Sequence, residues 1–131
     1  MTKEYSYYIA GRTEGYFNIR LEPILEEKQD IRIVFAKGYQ LGKKARQIEE
    51  LKETEEENAL YQKKRRAYII NMGYRSANSL YPYDSNQLKG DDKAAFDEGY
   101  QAAVLYKEQK QKAMDEIREF RNKERIRTTL D

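Results

Sequence analysis

Lys63, Lys64, Arg65, Arg66 and Arg75 are five cations in a stretch, residues 59 to 75, that contains no acid. Tyr61, Tyr68 and Tyr74 are interleaved with them. Cations neutralise phosphates and flat rings stack on bases, so this mixture suits single-stranded or ribosomal RNA. In such a complex the five cations would sit on phosphate, with Tyr74, Tyr83 and Tyr100 at the contact surface. The plainer reading is a solvated helix face. An acidic run, Glu49, Glu50, Glu53, Glu55, Glu56 and Glu57, stands just upstream. An acidic block followed by a basic block also suits a homodimer, in which 49–57 of one chain meets 63–66 of another antiparallel. Surface pairs of that kind steer association more than they stabilise it.

Catalysis finds little support. There is no histidine and no cysteine, so a triad or thiolate nucleophile is not available. Ser76, Ser79 and Ser85 stand in no nucleophile-elbow context. Gly38-x-x-x-Gly42-Lys43-Lys44 lacks the spacing and the preceding strand of a phosphate loop. Asp84-Ser85-Asn86 opens like a calcium loop but lacks its later glycine and glutamate. The expectation is a non-enzymatic protein with no cofactor and no metal.

Composition points to the scaffold. Charged residues are 37% of 131 and the apolar set only 39%, so the core must be thin and the helices elongated. The net charge is +2, from 25 Lys+Arg against 23 Asp+Glu, which by itself gives no argument for nucleic acid. There are twelve tyrosines and no tryptophan. A tyrosine buries its ring and keeps a polar tip, which suits a thin core or a binding surface. No apolar run nears the ~18 residues of a membrane span, and the start is polar and tyrosine-rich. The expected protein is soluble and cytosolic, with no membrane partner.

The elements that must position these residues all read as helices. Glu4 to Arg20 follows a three-four spacing, and Pro23 ends it. Ile24 to Gln29 is a connector. Asp30 is placed to cap the next helix, despite the β-rich Ile31 to Phe35. Thr54-Glu55-Glu56-Glu57 has the form of a capping box, which would start a new helix there. Lacking a strong breaker, the favoured reading is instead one continuous helix from Ile31 to Leu80, ~75 Å long. Leu80 to Gly90 is a loop by composition. Asp91 or Asp92 caps the last helix, with a face of Phe96, Gly99/Tyr100, Ala103, Tyr106, Lys110, Ala113, Ile117 and Phe120. That face is heptad-like but weak. The tail from Arg127 is expected to fray.

Four of the seven glycines precede a tyrosine: Gly15-Tyr16, Gly38-Tyr39, Gly73-Tyr74 and Gly99-Tyr100. Pro23 separates the first two and Pro82 the last two. A residue without Cβ lets a second helix backbone approach closer than the usual 8–10 Å. Gly11/Gly15 and Gly38/Gly42 are each spaced by four, on one helix face. The pattern predicts an all-α, elongated protein of two pseudo-repeated helix hairpins crossing at Gly15, Gly38, Gly73 and Gly99. The units span about 4–46 and 67–106, joined by a helix over 47–66 and followed by an extension over 107–127.

Gly73-Tyr74-Arg75-Ser76-Ala77, Tyr81-Pro82-Tyr83 and Phe96-x-x-Gly99-Tyr100-x-x-Ala103 together resemble the ribosome modulation factor family. That family has a Gly-Tyr-x-x-Gly/Ala helix, a Cys-Pro-Tyr turn and a Trp-x-x-Gly-Trp helix. Tyr81 stands in place of the cysteine, and Phe96 and Tyr100 in place of the tryptophans. The resemblance covers residues 67 to 106, with a degenerate copy over 9 to 46. It implies a small two-helix fold, binding to 16S ribosomal RNA and the promotion of inactive ribosome dimers. A second class fits the same features: a helical inhibitor or adaptor, such as a phage could carry, that binds a protein target through exposed tyrosines.

Overall fold

The computed structural model describes residues 2–25, 27–79, 82–86 and 88–130. It is all-α: α1 spans Lys3–Tyr16, α2 Gln29–Glu50, α3 Glu55–Ala77 and α4 Asp91–Leu130. Ile31 to Phe35 lies inside α2, and no described residue is in a strand. With 40 residues, α4 is ~60 Å long.

The helices pack as two pairs, α1 on α2 and α3 on α4. In both pairs the contact is backbone on backbone at glycine. A Cβ at Gly15 would lie 2.8 Å from the Tyr39 carbonyl carbon, and one at Gly42 would lie 2.8 Å from the Tyr16 nitrogen. Gly11 and Gly38 meet Phe35 and Tyr8 in the same way. In the second pair a Cβ at Gly73 would be 2.9 Å from the Phe96 carbonyl carbon, and one at Gly99 2.8 Å from that of Ile70. In each case the carbonyl oxygen is nearer still, so the glycine Cα–H points at an acceptor, the geometry of a weak Cα–H···O bond.

The pairs are not hairpins. Tyr8 meets Gly38 and Arg12 meets Gly42, so contact rises in number along both helices. The same holds from Arg65 with Asp92, through Ile70 with Gly99, to Ala77 with Lys107. Partner helices therefore run in the same direction. The connectors explain why. Residues 17–28 and 78–90 are far longer than an antiparallel turn requires, and twelve extended residues reach ~40 Å. That is enough to carry the chain back along α1 before α2 begins.

The first helix ends four residues before its expected limit. Asn18 has φ 55°, Asn18 N–H donates to Gly15 O and Ile19 N–H to Glu14 O. This is the paired capping arrangement of a left-handed residue just past a helix end, with asparagine in the usual glycine role. At the next start the cap position is Lys28, with no side-chain bond, and Asp30 lies inside the first turn. There its charge suits the positive end of the helix dipole.

The expected continuous helix over 31–80, and with it the connecting helix over 47–66, is broken at Leu51 to Thr54. Thr54 Oγ1 accepts from Glu57 N–H at 3.2 Å, so the capping box wins over propagation. Arg46 ties the two ends across the break. Its guanidinium bonds both Glu53 carboxylate oxygens at 2.5 and 2.8 Å, and Asn58 Oδ1 at 3.3 Å. Thr54→Ala is expected to lower stability by about 1 kcal/mol in urea denaturation. If α2 and α3 were one helix, alanine would instead be neutral or stabilising. At the other end no fraying is seen: α4 continues past Arg127 to Leu130.

The main apolar cluster lies where the pairs meet. Ile19 and Leu21, from the first connector, pack with Ile69, Met72, Leu88, Ala95 and Phe96. Leu21 and Ile69 are fully buried, each contributing roughly 1.5–3 kcal/mol. Asp84 N–H donates to Leu21 O at 3.1 Å and links the two connectors. Tyr81, equated with the family's cysteine, lies outside the described residues.

Candidate nucleic-acid interface

The five cations leave α3 in different directions. One face of the helix turns toward the end of α1. Tyr61 is buried there and its hydroxyl donates to Tyr16 O at 2.8 Å. Arg65, one turn on, donates from Nε to Phe17 O at 2.6 Å and grips Asp92 of α4 with two bonds of 2.5 and 2.8 Å. Hydrogen bonding to Asp92 raises the Arg65 pKa further. Arg65 thus holds α1, α3 and α4 together and is turned away from solvent. Arg66 is exposed but paired with Glu98 at 2.8 Å.

The remaining three cations share the solvent side of α3. Lys63 and Lys64 are exposed, with no ion pair among the described residues. Arg75 is exposed at the far end. Its charge acts on Tyr83 and Glu22, opposing the burial that raises both pKa values. Lys63 and Tyr74 are eleven residues apart, as are Lys64 and Arg75, three helical turns or about 16 Å. Exposed Ala67 and Asn71 fill the interval. This gives a neutral floor with cations at both ends and one ring.

The tyrosines owe their places to the crossing. A Cβ at Gly99 would lie 2.9 Å from Tyr74 N, and one at Gly73 would lie 3.1 Å from Tyr100 N. Each tyrosine therefore begins at the contact and leans outward, leaving Tyr74 37% and Tyr100 39% exposed. Tyr83 is half-buried, its N–H donating to Ser76 Oγ at 3.1 Å. Of the eight residues expected to touch nucleic acid, Lys63, Lys64, Arg66, Tyr74, Arg75 and Tyr100 are accessible, Arg66 with its charge already paired to Glu98. Arg65 belongs to the internal packing.

The acidic run has partners of its own. Besides Glu53, Arg46 lies 3.3 Å from Glu50 and 3.7 Å from Glu49, with its guanidinium carbon 3.4 Å from the Tyr61 ring centre. Tyr16 Oη donates to Glu49 at 2.5 Å, and its pKa is pushed up to about 12 by burial and that carboxylate. Glu49, Glu50 and Glu53 are thus engaged within the chain, which removes half of the acidic block from pairing with 63–66 of a second chain. Neither Arg46 nor buried Glu14 is conspicuous in the sequence, because in helices this rich in charge both look like surface residues.

Among the described residues no cluster of three or more acids could hold a metal, and no helix is long and apolar enough to cross a membrane. Comparison with protein families, curated proteins and solved structures returned no match.

Proposed function

We propose that this chain is a non-enzymatic, RNA-associated helical protein whose contact surface is the solvent side of α3. Lys63, Lys64 and Arg75 meet phosphate, and Tyr74 stacks on a base with Tyr100 beside it. The supporting observation is that these cations and Tyr74 lie on one exposed stripe, with no acid from Ala59 to Arg75. The resemblance to the ribosome modulation factor family points to ribosomal RNA as the natural ligand. Arg65 and Arg66 are left out of the contact, since Asp92 and Glu98 already match their charge.

Fluorescence anisotropy with labelled single-stranded RNA and with ribosomes tests this. Binding should weaken with salt at a log–log slope of about −2, from ~0.7 per phosphate met by three cations. Lys63→Glu with Lys64→Glu should weaken binding at least about tenfold while leaving the helical signal intact. No binding to RNA or ribosomes at low salt overturns the proposal.

A second reading, a helical inhibitor or adaptor for a protein target, is favoured by one observation. The net charge is only +2, and two of the five cations are matched within the chain. A stoichiometric protein complex that survives nuclease treatment would favour it.

A further inference from the structure

Among the described residues, the second half of α4 has no partner helix. Lys107 Nζ donates to Ala77 O at 3.0 Å, at the very end of α3. Beyond that point every described side chain of α4 is exposed. Yet the face that packs on α3 does not stop there. Phe96, Gly99 and Ala103 are buried, and the same three-four spacing continues through Tyr106, Lys110, Ala113, Ile117 and Phe120. Met114 is 48% exposed, Ile117 52% and Phe120 64%.

We propose that this extension pairs antiparallel with the same segment of a second copy, forming a two-fold symmetric dimer. Two independent features select this occupant and this direction. The first is steric. In a parallel pair, residues 91–106 of the second α4 would take the place that α3 occupies against the first. In an antiparallel pair the second α4 ends near Lys107 and follows on from α3, so the face that buries Ala103 simply changes partner.

The second feature is charge. With Ile117 of one copy against Phe120 of the other, Lys110 faces the other copy's Arg127 and lies within a turn of its Glu124, which offsets that like-charge contact. On the flank, Glu116 falls beside the other copy's Lys123, twice by symmetry. A parallel pair would instead set Lys110 against Lys110 and Glu124 against Glu124 on the seam. The parallel pair thus stacks three charged seam positions, Lys110, Glu124 and Arg127, each on itself, whereas the antiparallel pair places Glu124 within a turn of Lys110 and offsets its contact with Arg127. This interface is separate from the RNA-contact stripe on α3, so either proposal can fail without the other.

Light scattering of the full chain should give a dimer. Ile117→Asp with Phe120→Asp should give a monomer with unchanged helical content up to Lys107. Because these variants also place charge on a solitary helix, charge reversal supplies a second test. Glu116→Lys alone and Lys123→Glu alone should each weaken the dimer about tenfold, and the two together should restore it. The chain has no cysteine, so a single label at Gln111→Cys reports direction. An antiparallel pair places the two labelled positions ~22 Å apart along the axis, from 1.5 Å per residue, whereas a parallel pair places them side by side. A monomer at all concentrations, side-by-side labels, or dimerisation indifferent to the reversals overturns the proposal.

Discussion

Gly99→Ala lowers the stability of this protein by about 3 kcal/mol, although alanine is the better helix former by about 1 kcal/mol. The reversal of sign comes from what the methyl meets. It would fall on the Ile70 carbonyl, 2.8 Å from its carbon and closer to its oxygen, and 2.9 Å from Tyr74 N. Both are backbone atoms in mid-helix. No rotamer change relieves the clash, so the helices must separate. Separation strips contacts from Phe96, Ile69 and Met72, which sit in the apolar cluster beside the crossing. Gly73→Ala should behave alike, and the double variant should fall short of the sum, because one separation relieves both clashes. Gly90→Ala is the control. Its φ is +57° with nothing within 4 Å of a Cβ, so only the left-handed backbone is penalised, at roughly 1–2 kcal/mol. Urea midpoints rank the variants. A neutral or stabilised Gly99→Ala would contradict the packing described here.

Stability should also fall as pH rises from about 4.5 to 7. Glu14 is wholly buried at the end of α1. Its carboxylate accepts from the N–H groups of Leu21 and Glu22, the latter at 3.0 Å, and from Tyr68 Oη at 3.4 Å. Burial outweighs these bonds and raises its pKa from 4.5 to about 7, with the Glu22 charge adding to the rise. The folded form therefore binds the proton more tightly than the unfolded form. That stabilisation is complete below the unfolded pKa and is lost as pH climbs through the folded one, a change of roughly 3 kcal/mol. Glu22, also raised by burial, adds to the slope in the same sense. Glu14→Gln should flatten most of the dependence, leaving the Glu22 part. Glu14→Ala should be worse at every pH by about 2–4 kcal/mol, since two inward N–H groups lose their acceptor. Stability that rises between pH 4.5 and 7 would show that the carboxylate is held charged.

The fold was largely legible where glycine precedes tyrosine. A bare backbone in mid-helix has few uses, and four such positions at matched places pointed to contact between helices. Their direction was not legible, because close approach at a glycine is indifferent to whether two helices run together or opposed. Connector length held that information: twelve and thirteen residues are too many for a tight turn. The break at Leu51 to Thr54 is signalled in the sequence by the capping box alone, with no proline or glycine beside it, and Arg46 bonding across it is a tertiary effect. The candidate site was legible as composition and not as geometry. Five cations in a row cannot all face the same way on a helix, and which ones turn inward depends on Phe17 O and Asp92, residues 48 and 27 positions away.

The most direct test of the crossing is a set of proton–proton contacts in solution. Nuclear Overhauser effects should link the Gly99 α-protons to the Tyr74 amide, the Gly73 α-protons to the Tyr100 amide and the Gly42 α-protons to the Tyr16 amide. Further contacts should rise in residue number along both helices of each pair. Glycine α-protons that see only their own helix and water would contradict the account, and contacts that fall along one helix as they rise along the other would contradict the parallel arrangement.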